Sequence, residues 1–144
     1  MKTLTRLDLD DARVLIAGAA AHALEIGVPM CIAVTDESGQ LVAFERMEGG
    51  KVTSTTIAID KAFTAAAAKK ATHDYGTASQ PGAAAYGINS AIGGRLMVVG
   101  GGLPVLHDGE VVGGIGISSG TPAQDQAVAQ AAINHWQTSF QFGD

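Results

Sequence analysis

The chain has 144 residues, 47% of them hydrophobic and 16% charged, with a net charge of −5. That length suits a single domain, 1–144, and the apolar fraction excludes an intrinsically disordered chain. The negative charge without a basic stripe excludes a nucleic-acid partner, the single cysteine, Cys31, excludes an internal disulfide, and no apolar run reaches the roughly 18 residues of a membrane span.

The first residues, MKTLTRLDLDD, turn acidic where a signal peptide would turn apolar, so a cytoplasmic protein is expected. Asp8 is a good N-cap, and Asp10 and Asp11 place negative charge in the first turn of the helix it starts. Ala12, Leu15, Ile16, Ala19, Ala20, Ala23 and Leu24 recur at three- and four-residue steps, which gives that helix one apolar face. Gly27 suits the position just past its end, and Pro29 blocks continuation. Met30–Asp36 and Leu41–Met47 read as strands joined by the polar link ESGQ, a hairpin. Ser54–Ala71 is Ala-rich and reads as a helix, with Lys69 and Lys70 at the end where the helix dipole favours cations. Over residues 74–95, YGTASQPG reads as a loop and AAAYGINSAI as a short helix. LMVVG, LPVLH and EVVGGIGIS give three further strand signals, and Asp108-Gly109 between the last two is a strong hairpin signal. Thr121, Pro122 and Gln124 make a capping box with a preset first turn, for a final helix running to about Trp136. The order is α-β-β-α-(α)-β-β-β-α, an α+β domain with a five-stranded antiparallel sheet flanked by helices.

The stretch GGGLPVLHDGEVVGGIGISSG raises two familiar chemistries and supports neither. A dinucleotide fingerprint needs G-x-G-x-x-G between a strand and a helix, and the pattern from Gly114 fails at Ser119. Gly116-Ile117-Ser118-Ser119-Gly120 is a literal G-x-S-x-G. Asp125 and His135 follow it in triad order, but on one helix, ten residues or about 15 Å apart. Asp125 therefore cannot orient His135 as a triad requires. The stretch still has functional content, because Ser118, Ser119 and Gly120 precede a helix N-terminus, where backbone N–H groups attract carboxylates. His22, His73, His107 and His135 show no paired spacing, so no zinc site is expected. His73 sits where it would cap the end of the Ala-rich helix.

Three blocks, VPMCIAVTDESGQLVAFERMEGG, STTIAIDKAFTAAAA and GGGLPVLHDGEVVGGIGISSGTPAQDQAVAQAA, together resemble the GlcG/HbpS-like family, also called the haem-degrading domain family. Related domains form the C-terminus of some corrinoid adenosyltransferases. The resemblance covers roughly residues 5–136 and implies a profilin-like fold, a homo-oligomer (dimer or higher), and binding of haem or a similar planar tetrapyrrole, linked in some relatives to haem breakdown. This chain departs from the family around Asp125, where Gln124 and Gln126 stand in place of glutamates.

Among the residues, His22 is a candidate iron ligand. Side chains lean toward a helix N-terminus, so His22 would lie over Gly18, whose missing side chain would leave a shallow bay for a flat ligand. Met47 could meet a ring face or ligate iron, although Met more often fills a gap. Arg46 could hold a carboxylate in a fork, and Lys61, inside an apolar helix, is either snorkelling or aimed at an anion. Ser118, Ser119 and Gly120 complete a candidate anion site. The competing reading is an enzyme of small-molecule catabolism, holding an organic acid such as an aromatic-ring breakdown product at a subunit interface. Asp36, Lys61, Asp125 or a histidine would be its acid–base groups. A third reading is an assembly module without catalysis. Cys31 reads most simply as a small buried residue.

Overall fold

A computed structural model of the protein describes residues 1–142. Helix α1 spans Leu9–Ile26 and opens with the expected cap. Asp11 N–H donates to Asp8 Oδ1 at 3.0 Å and Asp8 N–H donates to Asp11 Oδ2 at 3.0 Å, a reciprocal capping box. Gly27, with φ 71°, closes α1 in the left-handed conformation. Strands β1 (Cys31–Asp36) and β2 (Leu41–Arg46) form the first hairpin. Its turn is tied by Asp36 Oδ1, which accepts from Ser38 N at 2.9 Å and Gln40 N at 3.2 Å. Helix α2 spans Thr53–Ala67 and ends four residues before the sequence suggested. Lys69, at φ 55°, already lies outside it.

Residues 72–95 depart from the reading above. The segment read as a loop holds helix α3 (Thr72–Ala78), and the segment read as a helix holds only two single 3₁₀ turns, Ile88–Ser90 and Ile92–Gly94. His73 is therefore the second residue of α3 rather than a cap on α2. Strands β3 (Gly102–His107) and β4 (Glu110–Ser118) form the second hairpin around Asp108-Gly109. Helix α4 runs from Pro122 to Phe142, past the expected stop. Its capping box is present: Gln124 N–H donates to Thr121 Oγ1 at 3.1 Å, and Thr121 N–H donates to Gln124 Oε1 at 2.9 Å.

The sheet has four strands in the order β2-β1-β4-β3, all antiparallel, not the five expected. The missing strand is LMVVG, Leu96–Gly100. Its backbone is bound elsewhere: Met97 N–H donates to Thr64 Oγ1 of α2 at 3.0 Å, and Gly76 of α3 packs against Val98 O. An apolar run fixes burial, but not whether a strand edge is free to receive it.

Helices α1 and α4 cover one face of the sheet and α2 the other. Ile32 and Val34 of β1 and Ile115 and Ile117 of β4 join Leu15, Ala19, Val128 and Ala132 in the larger core. Cys31 and Ala33 alternate to the opposite face and meet Ala58 and Ala62 of α2. The α2 contact is unusually close. A Cβ on Gly114 or Gly116 would collide with the backbone carbonyls of Ala62 and Ala58 respectively, so only glycine lets α2 lie directly on β4.

Candidate functional site

The residues singled out by sequence gather at one end of the sheet, but in separate settings. In register, Arg46 of β2, Cys31 of β1 and Ser118 of β4 stand side by side. Antiparallel partners share a face, so all three side chains belong to the α2 side. The loop before α2 and the loop before α4 meet here as well: Lys51 N–H donates to Ser119 Oγ at 3.0 Å. Ser119 holds φ 112°, a backbone conformation that side-chain-bearing residues rarely adopt. Cys31 is fully buried and its thiol donates to Lys51 O at 3.6 Å. Burial pushes that thiol's pKa up, against smaller opposite effects from Thr55 and from the guanidinium of Arg46.

Lys61 does not snorkel. It is 1% exposed, and its ammonium reaches Asp125 Oδ2 at 3.0 Å and Ile117 O at 2.8 Å. Asp125 is 2% exposed, and its other oxygen accepts Gly120 N–H at 2.9 Å. The pair links α2 on one face of the sheet to α4 on the other. Glycine at 101 makes room for it, since a Cβ there would lie 2.8 Å from Lys61 Nζ. Burial pushes the Lys61 pKa down and the Asp125 pKa up, and in both the desolvation outweighs the attraction of the partner. The ammonium expected to face a ligand carboxylate is thus committed to one inside the protein.

The amides ahead of α4 are similarly engaged. Gly120 N–H goes to Asp125, Thr121 N–H to Gln124, and Asp125 N–H to Thr121 O at 2.8 Å. The anion seat expected at Ser118–Gly120 is filled at Gly120 by the chain's own carboxylate.

His22 lies in the other layer. It is half-buried on α1, with Nδ1 3.4 Å from Glu25 Oε2 one turn on. The bay expected beneath it is closed: a Cβ on Gly18 would lie 2.7 Å from His135 Cβ, so α4 packs into that gap. Met47 is on the opposite flank of α1, where it lines a cleft of about 200 Å³ with Ala23, Leu24 and Val28. The structure therefore does not bring His22, Met47 and Lys61 around one ligand. Asp36 is engaged in its turn, and His107 stacks 5.5 Å from Phe140 beside Asp108. Among the described residues no cluster of three or more His, Cys, Asp or Glu side chains could hold a metal ion, and no helix is long and apolar enough to cross a membrane.

Sequence reasoning missed Ser54 and Thr55 of α2. They stand at the same end of the sheet, where α2 begins over Cys31 and Ser118. The available signal was the alternation Gly114, Gly116, Ser118, which marks where the close α2–β4 contact stops.

Comparison with known proteins agrees with this architecture. The model of the family described as haem degrading protein HbpS-like matches residues 7–134. An uncharacterized 15.0 kDa protein of Citrobacter freundii, from a dhaT-dhaS intergenic region, is 37% identical over 131 residues, which cover 91% of this chain and 92% of that one. Among solved structures, the ORFY protein of Klebsiella pneumoniae superposes with a TM-score of 0.93 at 34% identity, over 95% of this chain and 94% of that one. A PduOC:heme complex superposes with a TM-score of 0.87 at 37% identity, over 91% and 95% of the two chains.

Proposed function

The chain belongs to this HbpS-like family, and from that premise we propose that it binds haem or a similar planar tetrapyrrole, with His22 as the iron ligand. The observation that carries the assignment is the His22–Glu25 pair. Nδ1 stands 3.4 Å from the Glu25 carboxylate, and the side chain is 32% exposed. A carboxylate beside Nδ1 favours the tautomer that carries its proton there, which leaves the Nε2 lone pair free to bind a metal. Half-burial excludes part of the competing water and keeps the edge of the ring reachable. One accessible imidazole oriented by a second group is the donor set a haem iron requires from the protein. The likeness to a solved haem complex over nine-tenths of the chain supports the same reading.

When bound, haem supplies a redox-active iron. His22 would hold it and Glu25 would orient His22. The haem would rest on the exposed flank of α1 around His22, since His135 fills the space over Gly18. Titration of the protein with haemin is expected to give a sharp Soret band distinct from that of free haemin. His22→Ala abolishes the shift, and Glu25→Ala weakens binding by a smaller factor. A spectrum that stays that of free haemin, or a His22→Ala variant that binds like the parent, refutes the assignment.

A further inference from the structure

The two edges of the sheet differ in how the sequence guards them. β3 carries Pro104 near its middle, which has no N–H to offer a further strand. Its first residue is covered by α3, where Gly102 N–H donates to Thr72 Oγ1 at 2.9 Å. β2 lies at the other edge of the order β2-β1-β4-β3 and has neither guard. Its sequence, LVAFER, holds no proline and no lysine, and among the described residues its outward N–H and C=O groups bond to nothing. A free strand edge of this kind is a template for a further strand. The register slips at Val42, which leaves Ala43–Arg46 as the regular stretch. Glu45 and Arg46 there carry opposite charges, so the edge does not repel an edge like itself.

Beside this edge, between β2 and α1, runs a cleft of about 520 Å³. Its floor is apolar, built from Leu9, Ile16, Ala17 and Ala20 of α1 and Ala43 of β2. Its charged lining residues, Arg13 and Glu45, are opposite in sign and both exposed. Among the described residues they form no ion pair with each other, and Arg13 reaches only its helix neighbour Asp10, at 3.7 Å. Their order along the cleft accounts for this. Met47 meets Ala23, Leu24 and Val28, so the C-terminal end of β2 lies beside the C-terminal end of α1. Glu45, two residues before Met47, stands toward that end, and Arg13 stands toward the other. From Ala23 back to Arg13 is about 15 Å of helix, and from Met47 back to Glu45 about 7 Å of strand. The two charges are thus about 8 Å apart along the cleft, too far to pair within one copy.

We propose that the β2 edge and this cleft form the interface between two copies of the chain, related by a two-fold axis that pairs β2 antiparallel with β2 of the second copy. Antiparallel pairing reverses the direction of the second strand. It brings Glu45 of the second copy to the Arg13 end of the cleft, and Glu45 of the first copy to the second Arg13. Charges left apart within each copy become two ion pairs, and the surface is complementary to itself, as a two-fold interface requires. Both α1 helices then lie on the same face of the joined sheet, and Ala17 and Ala20 let them approach across the junction. A peptide strand of another protein also fits a free edge, but it meets Arg13 and Glu45 only if its own charges match their spacing. A second copy supplies that match by symmetry. His22, two residues past Ala20, points about 200° round α1 from it, so the interface goes beyond the haem reading and is tested without haem.

The test follows the haem-free full chain by sedimentation equilibrium over a dilution series. The parent is expected as a dimer or an even-numbered assembly. Glu45→Arg sets an arginine against Arg13 of the other copy, and Arg13→Glu sets a glutamate against Glu45. Each reversal is expected to weaken association about tenfold or more, so that the mass falls by half at a concentration where the parent is still paired. The double variant Arg13→Glu/Glu45→Arg restores both ion pairs in reverse order and returns the affinity to within about threefold of the parent. Both side chains are exposed, so the variants stay folded, which Trp136 fluorescence checks. Amide hydrogen exchange at Ala43–Arg46 is expected to be slower in the parent than in either single variant, because the outward N–H groups are bonded only in the pair. A monomeric parent, an assembly whose mass neither reversal changes, a double variant no tighter than the single ones, or equal exchange at Ala43–Arg46 overturns the proposal. None of these outcomes touches the haemin titration.

Discussion

Asp125→Asn isolates the charge in the buried pair between α2 and α4. The amide keeps an oxygen for Gly120 N–H, which Asp125 Oδ1 accepts at 2.9 Å, and keeps the shape of the site. What changes is that the Lys61 ammonium, 1% exposed and held by Asp125 Oδ2 at 3.0 Å, loses its counter-charge. Breaking a buried pair by removing one charge costs about 3–5 kcal/mol, a large part of the stability of a domain this size. The sign of the pH dependence follows from Lys61. Burial already pushes its pKa below the ordinary 10.5, and in the Asp125→Asn variant the opposing pull of the carboxylate is gone. Between that lowered value and 10.5 the unfolded chain binds more protons than the folded one, so the stability of the variant rises with pH. Asp125 in the parent has the opposite slope. Its folded carboxyl keeps a proton above 3.8, so its contribution declines as pH rises through the window just above that value. The double variant Lys61→Met/Asp125→Asn removes both charges and is expected to lie within about 1 kcal/mol of the parent, because burial outweighs pairing for both groups. Urea denaturation followed by Trp136 fluorescence at about pH 6 and about pH 9 measures all three. An Asp125→Asn variant that loses under about 1 kcal/mol, or whose loss does not shrink toward high pH, refutes this account.

Two glycine substitutions test the packing that positions the sites. Gly18→Ala places a methyl 2.7 Å from His135 Cβ and pushes α1 away from α4. The expected loss is about 1–3 kcal/mol, read as a fall in Tm of roughly 5–10 °C, with a shift of the Trp136 indole N–H resonance as its 3.1 Å bond to Asp11 lengthens. Gly116→Ala drives a methyl into the backbone of Ala58 and Ala62, where no rotamer can yield, and should cost about 3 kcal/mol or more. Equal Tm values for Gly116→Ala and the parent would mean that α2 does not lie against β4 as described.

Local rules read the elements well wherever the chain satisfies itself locally. The Asp8 box, the Asp36 turn, the Asp108-Gly109 hairpin and the Thr121 box depend on residues within a few positions of each other, and all are present. What escaped depends on distant partners. Leu96–Gly100 has a strand composition, but Thr64, some 30 residues earlier, takes its backbone. Lys61 and Asp125 are 64 positions apart, so Lys61 reads as snorkelling or aimed at a ligand anion and Asp125 as a separate acid–base candidate, and nothing local pairs them. Gly18 read as a vacancy because nothing in α1 announces that His135 fills it.

The glycines explain why the sites fall where they do. Helix α2 carries mostly alanine on its sheet-facing side, and β4 answers with glycine at 114 and 116. The two backbones approach so closely that no cavity survives between them. The glycine alternation ends at Ser118, level with the first turn of the helix. The same close approach sends Lys61 past Gly101 to Asp125 instead of outward to solvent. A chain built from small residues thus confines its polar chemistry to the rim of the sheet and to the outer flank of α1. The haem proposal occupies the second of these places.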